Sequence, residues 1–443
     1  MVFFRFFMIS AILFKQIIAI NINLIDIGLK SDDYGTSTCY SNSKIIENSA
    51  YIYNSTDLTL TIPHGSFCLL PVLYNSVFNL TINILGYIYA SDVWTINNGI
   101  VSYTNWSHSK AGGLDYDPLF GFVSCDNISL IGNGTIQGNG YSWWWNELLG
   151  TLDYKRPDLI NIHDSSNIRI SGGLVLLNAP HSHINLKHIT TGYINNITIW
   201  VDWKKQKHIF RRIFGAKPSF RMFPFNTDGI DVSGENITIE NITVENADDV
   251  VAIKPMNRAQ VPSCTRNIFV YNVITFIGVG MSVGSVPPHK DSNCVSDIIF
   301  ENITMKNPIK SVYIKSNSGS DDPNQSGLIR NILYKNIIIE DPILWPIYIG
   351  PQQQKEPDGS GDGIWPPTEP RITMTNITIL NLYSTGKFLP HAGVIRSNKT
   401  NPADLLLKNV YIESFTNSWI CQNSFVTIKN VSPNINCKKI KMS

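Results

Sequence analysis

The sequence predicts an all-β protein built as a right-handed parallel β-helix. Three observations carry that expectation: a short motif recurs along the chain, β-branched residues alternate within each copy, and long amphipathic helical patterns are scarce. The copies read NISLI at Asn127, NIRIS at Asn167, NITIW at Asn196, NITIE at Asn236, NITVE at Asn241 and NIFVY at Asn267. They continue as NILYK at Asn331, NITIL at Asn376 and NVYIE at Asn409, with a related DIIFE at Asp297. Many recur about 30 to 40 residues apart, with further strand-like runs such as DVVAIKP and SVYIKS between them. In a solenoid each coil buries its inward Ile or Val against the coils above and below. An Asn at each corner tolerates the left-handed conformation and can hydrogen-bond to its stacked neighbour. A β-sandwich also has short alternating strands, but the regular recurrence argues for stacked coils.

In chain order, the first 20 residues, MVFFRFFMISAILFKQIIAI, place Arg5 ahead of an apolar run that Lys15 interrupts. The run is too short to span a bilayer and fits a secretory signal with Ala19 near its cleavage site; a signal anchor or a first buried strand is the competing reading. Residues 21–96 read as a strand-rich capping region and residues 97–443 as the β-helix. Two segments interrupt the repeat: the basic stretch 204–221 and the Gly/Pro-rich stretch 352–367. Both read as loops projecting from the solenoid, and the basic one either flanks a cleft for a polyanion or is simply solvated.

Composition sets the outer bounds. Of 443 residues 43% are apolar and only 16% charged, which excludes general disorder. Lys and Arg number 35 against 34 Asp and Glu, so a formal charge of +1 gives no case for a nucleic-acid partner. No second apolar run approaches the length of a spanning helix, so no stable membrane association is expected after signal removal. The seven cysteines form no CxxC pair. In an oxidising compartment the near neighbours Cys39–Cys68, Cys264–Cys294 and Cys421–Cys437 are the natural pairs, leaving Cys125, although spacing alone does not fix connectivity. Sequons at Asn54, Asn79, Asn105 and Asn398 agree with secretion, while several others fall inside the repeat, where the Asn can serve the fold instead.

The chemistry is concentrated in the middle of the chain. NTDGID carries Asp228 and Asp231, and one coil later NADDVVAIKP carries Asp248 and Asp249. One coil returns the chain to the same face about 4.8 Å along the axis, so Asp228 can lie beside Asp248 and Asp249 in one groove. Crowded carboxylates cannot all ionise normally; at least one is pushed up and keeps its proton beside an ionised partner. A proton donor beside a carboxylate base is the requirement of glycosidic hydrolysis. Three Asp residues also suit a hard cation, but no further acidic cluster flanks them, and neither a metal nor another cofactor is expected.

NTDGID, the following DD and GVGMSVGSV (278–286) resemble the polygalacturonases of glycoside hydrolase family 28. GTIQGNGYSWWW (134–145), RPDLI (156–160) and NAPHSHI (178–184) are similar to the same family's approach to its active coils. The resemblance covers roughly residues 100–420. It implies a pectin-lyase-like solenoid that hydrolyses α-1,4-galacturonide bonds of pectin with inversion and without a cofactor. By motif position Asp248 would be the general acid, and Asp228 and Asp249 would hold and activate the water. Inversion needs carboxyl groups about 6.5–9.5 Å apart to admit that water.

Two departures stand out. Val279 occupies the place of the family's usual His, and Tyr313 that of its usual Arg, while Lys315 is retained. A Tyr cannot form the bidentate clamp that an Arg gives a carboxylate. The expected substrate-binding set is therefore Asn226, Lys315 and Tyr313, with His181 and Lys254 as substitutes and Tyr348 as an aromatic platform or a core residue. His183, His289 and Arg258 are further candidates. The resulting expectation is a secreted, monomeric pectin-acting hydrolase. A related enzyme acting on rhamnogalacturonan or xylogalacturonan, and a non-catalytic carbohydrate-binding β-helix, are the alternatives; a lyase fits less well.

Overall fold

The computed structural model describes residues 19–33, 35–52, 57–91, 95–97, 100–102, 117–152, 155–202, 224–256, 264–290, 293–319, 322–353, 368–386 and 391–437. Most of the leader (1–18), the basic stretch 204–221, residues 354–367, Arg258 and the sequons at Asn54 and Asn105 lie outside the described residues. Among the described residues, 26 strands form one continuous sheet whose neighbours all pair in parallel. It is a parallel β-helix, wound right-handed as parallel crossovers require. The early strands Leu58–Ile62, Ser66–Leu69 and Val72–Asn75 already belong to it, pairing with Phe78–Ile84, Tyr87–Ala90 and Phe120–Val123.

The repeat builds the stack as its alternation demands. Ile194, Ile239, Val270, Phe300, Tyr334, Ile379 and Leu407 occupy one register position in successive coils, and all are fully buried. The Phe300 and Tyr334 rings stack 4.7 Å apart within that column. Shortening such a side chain to Ala costs about 2–5 kcal/mol through lost transfer energy and the cavity left behind.

The corner asparagines adopt positive φ, for example Asn236 at 59°, Asn241 at 56° and Asn302 at 58°. Their side chains form ladders: Asn302 Nδ2 donates to Asn272 Oδ1 at 3.2 Å, Asn336 to Asn302 at 3.1 Å, Asn381 to Asn336 at 3.0 Å and Asn409 to Asn381 at 2.9 Å. The sequon residues Asn127 and Asn376 are also rungs, donating to Asn79 and Asn331.

Helix Thr36–Ile52 packs over the first coils, burying Ile46 and Ala50, with Ser43 Oγ donating to the Leu70 carbonyl at 2.8 Å. Cysteines pair as Cys39–Cys68, Cys264–Cys294 and Cys421–Cys437, the expected set, and Cys125 is a buried free thiol. No helix among the described residues is long and apolar enough to cross a membrane.

Candidate active site

One face of the solenoid positions the acidic residues. Register places Asp231, Ala252, Ser282, Tyr313 and Tyr348 in one column of successive coils, following Asn161 and Asn185. Asp228 lies just before the strand Ile230–Asn246, and Asp248 and Asp249 lie in the turn between that strand and Val251–Ile253. Backbone bonds lock the two turns together: Gly229 N–H donates to the Asp249 carbonyl at 2.9 Å, and Asn246 Nδ2 donates to the carbonyls of Thr227 at 3.0 Å and Asp249 at 2.8 Å. Asp228, Asp248 and Asp249 consequently each bring an oxygen within 4.8 Å of the others. These are approaches of single oxygens within the cluster, a shorter measure than the separation of whole carboxyl groups. Two lysines draw the cluster together: Lys315 Nζ lies 2.7 Å from Asp249 Oδ2, and Lys254 Nζ lies 3.3 Å from Asp231, 3.6 Å from Asp249 and 3.8 Å from Asp228.

Burial and charge divide the carboxyls into two kinds. Burial, reinforced by Asp231 and Asp248, pushes Asp228 well above the ordinary carboxylate range. Burial and the neighbouring Asp249 likewise raise Asp248, although Lys315 and the Asn226 N–H, which donates to Asp248 Oδ2 at 3.0 Å, oppose them. Burial also acts on Asp249, but Lys315, Lys254 and the Ser282 hydroxyl, which donates to Asp249 Oδ1 at 2.5 Å, outweigh it and hold Asp249 below the usual range. Burial pulls the Lys254 ammonium down, and the surrounding carboxylates, Asp231 foremost, outweigh it and keep the group firmly charged. The two ammonium groups already bring the countercharge a metal ion would supply to these three carboxylates.

The remaining expected residues fall into three places. Asn226 is exposed and lines a cleft of about 270 Å³ with Trp144, Glu147, Leu148, Arg156, Pro224, Phe225 and Asp248. Lys254 faces the groove with its side chain 33% exposed. His181 sits on the neighbouring coil, its Nδ1 2.8 Å from Asp158 Oδ1, with the adjacent Ser182 hydroxyl donating to Asp231 Oδ2 at 3.1 Å.

Lys315, Tyr313 and Tyr348 are placed differently from a substrate-contacting set, being only 2%, 2% and 1% exposed. Lys315 is committed to Asp249 and to the face of the Tyr313 ring at 4.5 Å. Tyr313 and Tyr348 meet edge to face at 5.7 Å in an apolar cluster with Val279, Ile309 and Val394, and Lys310 Nζ lies 4.0 and 4.5 Å from their centroids. The tyrosine that stands where an Arg was expected is thus packed into the apolar cluster, with its ring edge to face against Tyr348.

His183 is fully buried, with Nδ1 3.0 Å from the Asp228 carbonyl; burial lowers it to about 4, so it supports the backbone as a neutral ring. His289 pairs by its backbone with Ser326. Sequence reading passed over Asp231 and Ser282 as site residues, although both lie in the quoted motifs. The signal was the coil register, which places each of them one layer from Ala252 and two layers from the other.

The site is thus a cluster of carboxyls of unlike proton affinity on one face of a parallel β-helix. Residues 89–432 match the family model described as "Glycosyl hydrolases family 28", and the chain belongs to that family. It is 28% identical over 329 residues to an endo-polygalacturonase of Pectobacterium parmentieri, covering 70% of this chain and 69% of that protein. The stretches aligned with other curated relatives cover between 49% and 66% of their own lengths. Among solved structures, the exopolygalacturonase of Thermotoga maritima superposes with a TM-score of 0.65 at 19% identity, covering 95% of this chain and 93% of that one. Endo-xylogalacturonan hydrolase from Aspergillus tubingensis gives 0.66 at 17% identity, covering 96% and 100%. The chain is a glycoside hydrolase, and the proteins it resembles include polygalacturonases and an endo-xylogalacturonan hydrolase.

Proposed function

We propose that the protein is a secreted hydrolase of pectic α-1,4-galacturonide bonds, with Asp248 as general acid and Asp249 as general base. One observation carries this reading: a carboxyl held above its ordinary range lines an open cleft, within 4.8 Å of one held below it. In the reaction Asp248 gives its proton to the glycosidic oxygen as the bond from that oxygen to the anomeric carbon breaks. Asp249 takes a proton from water as the water oxygen bonds to the same carbon. Asp228 Oδ1 is buried without a hydrogen-bond partner among the described residues, which suits it to orient that water. Lys315 and Lys254 keep Asp249 ionised, and Asn226, Lys254 and His181 are the residues assigned to contact the sugar. Three disulfides support an extracellular setting, and residues 1–20 are assigned as the leader.

The test is reducing-end release from polygalacturonate, with proton NMR of the first anomer formed. Turnover with inverted product, reduced at least about a hundredfold in Asp248→Asn and in Asp249→Asn, is the expected result. No release from any pectic polymer would overturn it. Val279 and the buried Tyr313 favour a second reading, in which the preferred polymer is rhamnogalacturonan or xylogalacturonan. A panel of pectic oligosaccharides decides, and fastest cleavage of plain oligogalacturonate removes the second reading.

A further inference from the structure

The RPDLI segment is used by none of these steps, yet it reaches the acid. Arg156 lies beneath the cleft and is 6% exposed. Its Nη1 donates to the Pro180 carbonyl at 2.8 Å and its Nη2 to the Phe225 carbonyl at 2.7 Å. Its Nε lies 4.0 Å from Glu147 Oε2 on the helix Tyr141–Leu148. The Phe225 carbonyl and the Asn226 N–H belong to one peptide group. The oxygen of that group accepts from Arg156, and its N–H donates to Asp248 Oδ2 at 3.0 Å. Bonds in such a chain polarise one another, and a charged donor at the head strengthens the tail. Asn226 holds a left-handed φ of 53°, which an Asn tolerates, and its N–H is thereby turned toward Asp248.

We infer that Arg156 is a positioning residue for Asp248, aiming the carboxyl into the cleft through the Phe225–Asn226 peptide. The inference rests on the reading of Asp248 as proton donor. The link carries charge as well as position, since an N–H donated to a carboxylate favours its ionised form. Around Asp248, Asp249 and Asp228 favour its protonated form, while Lys315, Lys254 and Arg156 favour the ionised one, with Glu147 partly offsetting Arg156. Removing Arg156 therefore lets Asp248 keep its proton to higher pH while loosening its aim.

The experiment follows kcat and KM against pH on a defined oligogalacturonate for the wild type, Arg156→Gln, Arg156→Lys and Asp248→Asn, with melting temperatures alongside. Arg156→Gln is expected to lower kcat about tenfold with KM changed less than about twofold, and to move the falling limb of the profile to higher pH. Arg156→Lys keeps the charge but replaces the rigid planar fork with a single point donor, so it should lose similar kcat with a smaller movement of the limb. Wild-type kcat and an unmoved limb in both variants, with only a lowered melting temperature, would overturn the proposal and leave Arg156 as a tie between loops. Full activity in Asp248→Asn would instead remove the acid assignment on which the proposal stands. Should the Arg156 variants not fold, the half-exposed Glu147 decides. Glu147→Gln frees Arg156 to donate more strongly, so its falling limb should shift to lower pH, and an unmoved limb overturns the proposal.

Discussion

At the scale of single residues, the proposed division of acid from base rests on one ammonium group, that of Lys315, which is buried against Asp249. Lys315 fixes which carboxyl of the cluster stays ionised, and this predicts a bell-shaped profile for kcat/KM. The rising limb belongs to Asp249, held low, and the falling limb to Asp248, held high. Initial rates across pH check it, and a single-limbed profile would contradict it. The same groups predict opposite stability effects. Asp249 has a folded value below its unfolded one, so its contribution is present above the ordinary carboxylate range and lost as pH falls through the folded value. Asp249→Asn strands a buried ammonium, and a loss of about 3–5 kcal/mol in denaturant unfolding is expected near neutral pH. Asp228 has a raised folded value, so its contribution is present in acid and lost as pH rises through that value. Asp228→Asn should accordingly match or exceed the wild type in melting temperature near pH 7 while losing activity.

At the scale of the element, the corner asparagine does two things that substitution can separate. Asn302→Ala removes both the ladder bonds and the tolerance of positive φ, whereas Asn302→Gly removes only the bonds. Ala should cost about 1–3 kcal/mol and Gly distinctly less, measured by urea unfolding; equal losses would mean that backbone strain contributes nothing. These asparagines are also why the fold was legible in the sequence. A residue that must sit at φ near 55° once per coil leaves a periodic mark, and the alternation beside it marks the inward face. The carboxylate cluster was legible for the same reason, since one coil of spacing separates NTDG from DD. The fates of Tyr313, Tyr348 and Lys315 were not. Alternation places them on the groove face, but whether a long side chain points out or folds onto its neighbours depends on the coils either side. Here Lys310, Val279, Ile309 and Val394 close over the rings. Arg156 was hidden for a different reason: its partners are backbone carbonyls at Pro180 and Phe225, which leave no trace in side-chain identity.

At the scale of the whole molecule, a stack of coils touches only its neighbours, so its ends are the places from which it can unravel. The disulfides Cys39–Cys68 and Cys421–Cys437 lie toward those ends, and Cys264–Cys294 ties adjacent coils in the middle. Removing an end disulfide should lower stability by about 2–4 kcal/mol and expose the terminal coils to protease first, with the central coils resisting longer; fragment mapping by mass spectrometry checks the order.

The contact between Asp249 and Lys315 has a consequence of its own. It spans three storeys of the tower, through Ser282 on the storey between. Hydrolysis then doubles as a plumb line: any sideways slippage between those storeys would break the strut and silence turnover before the building itself came down.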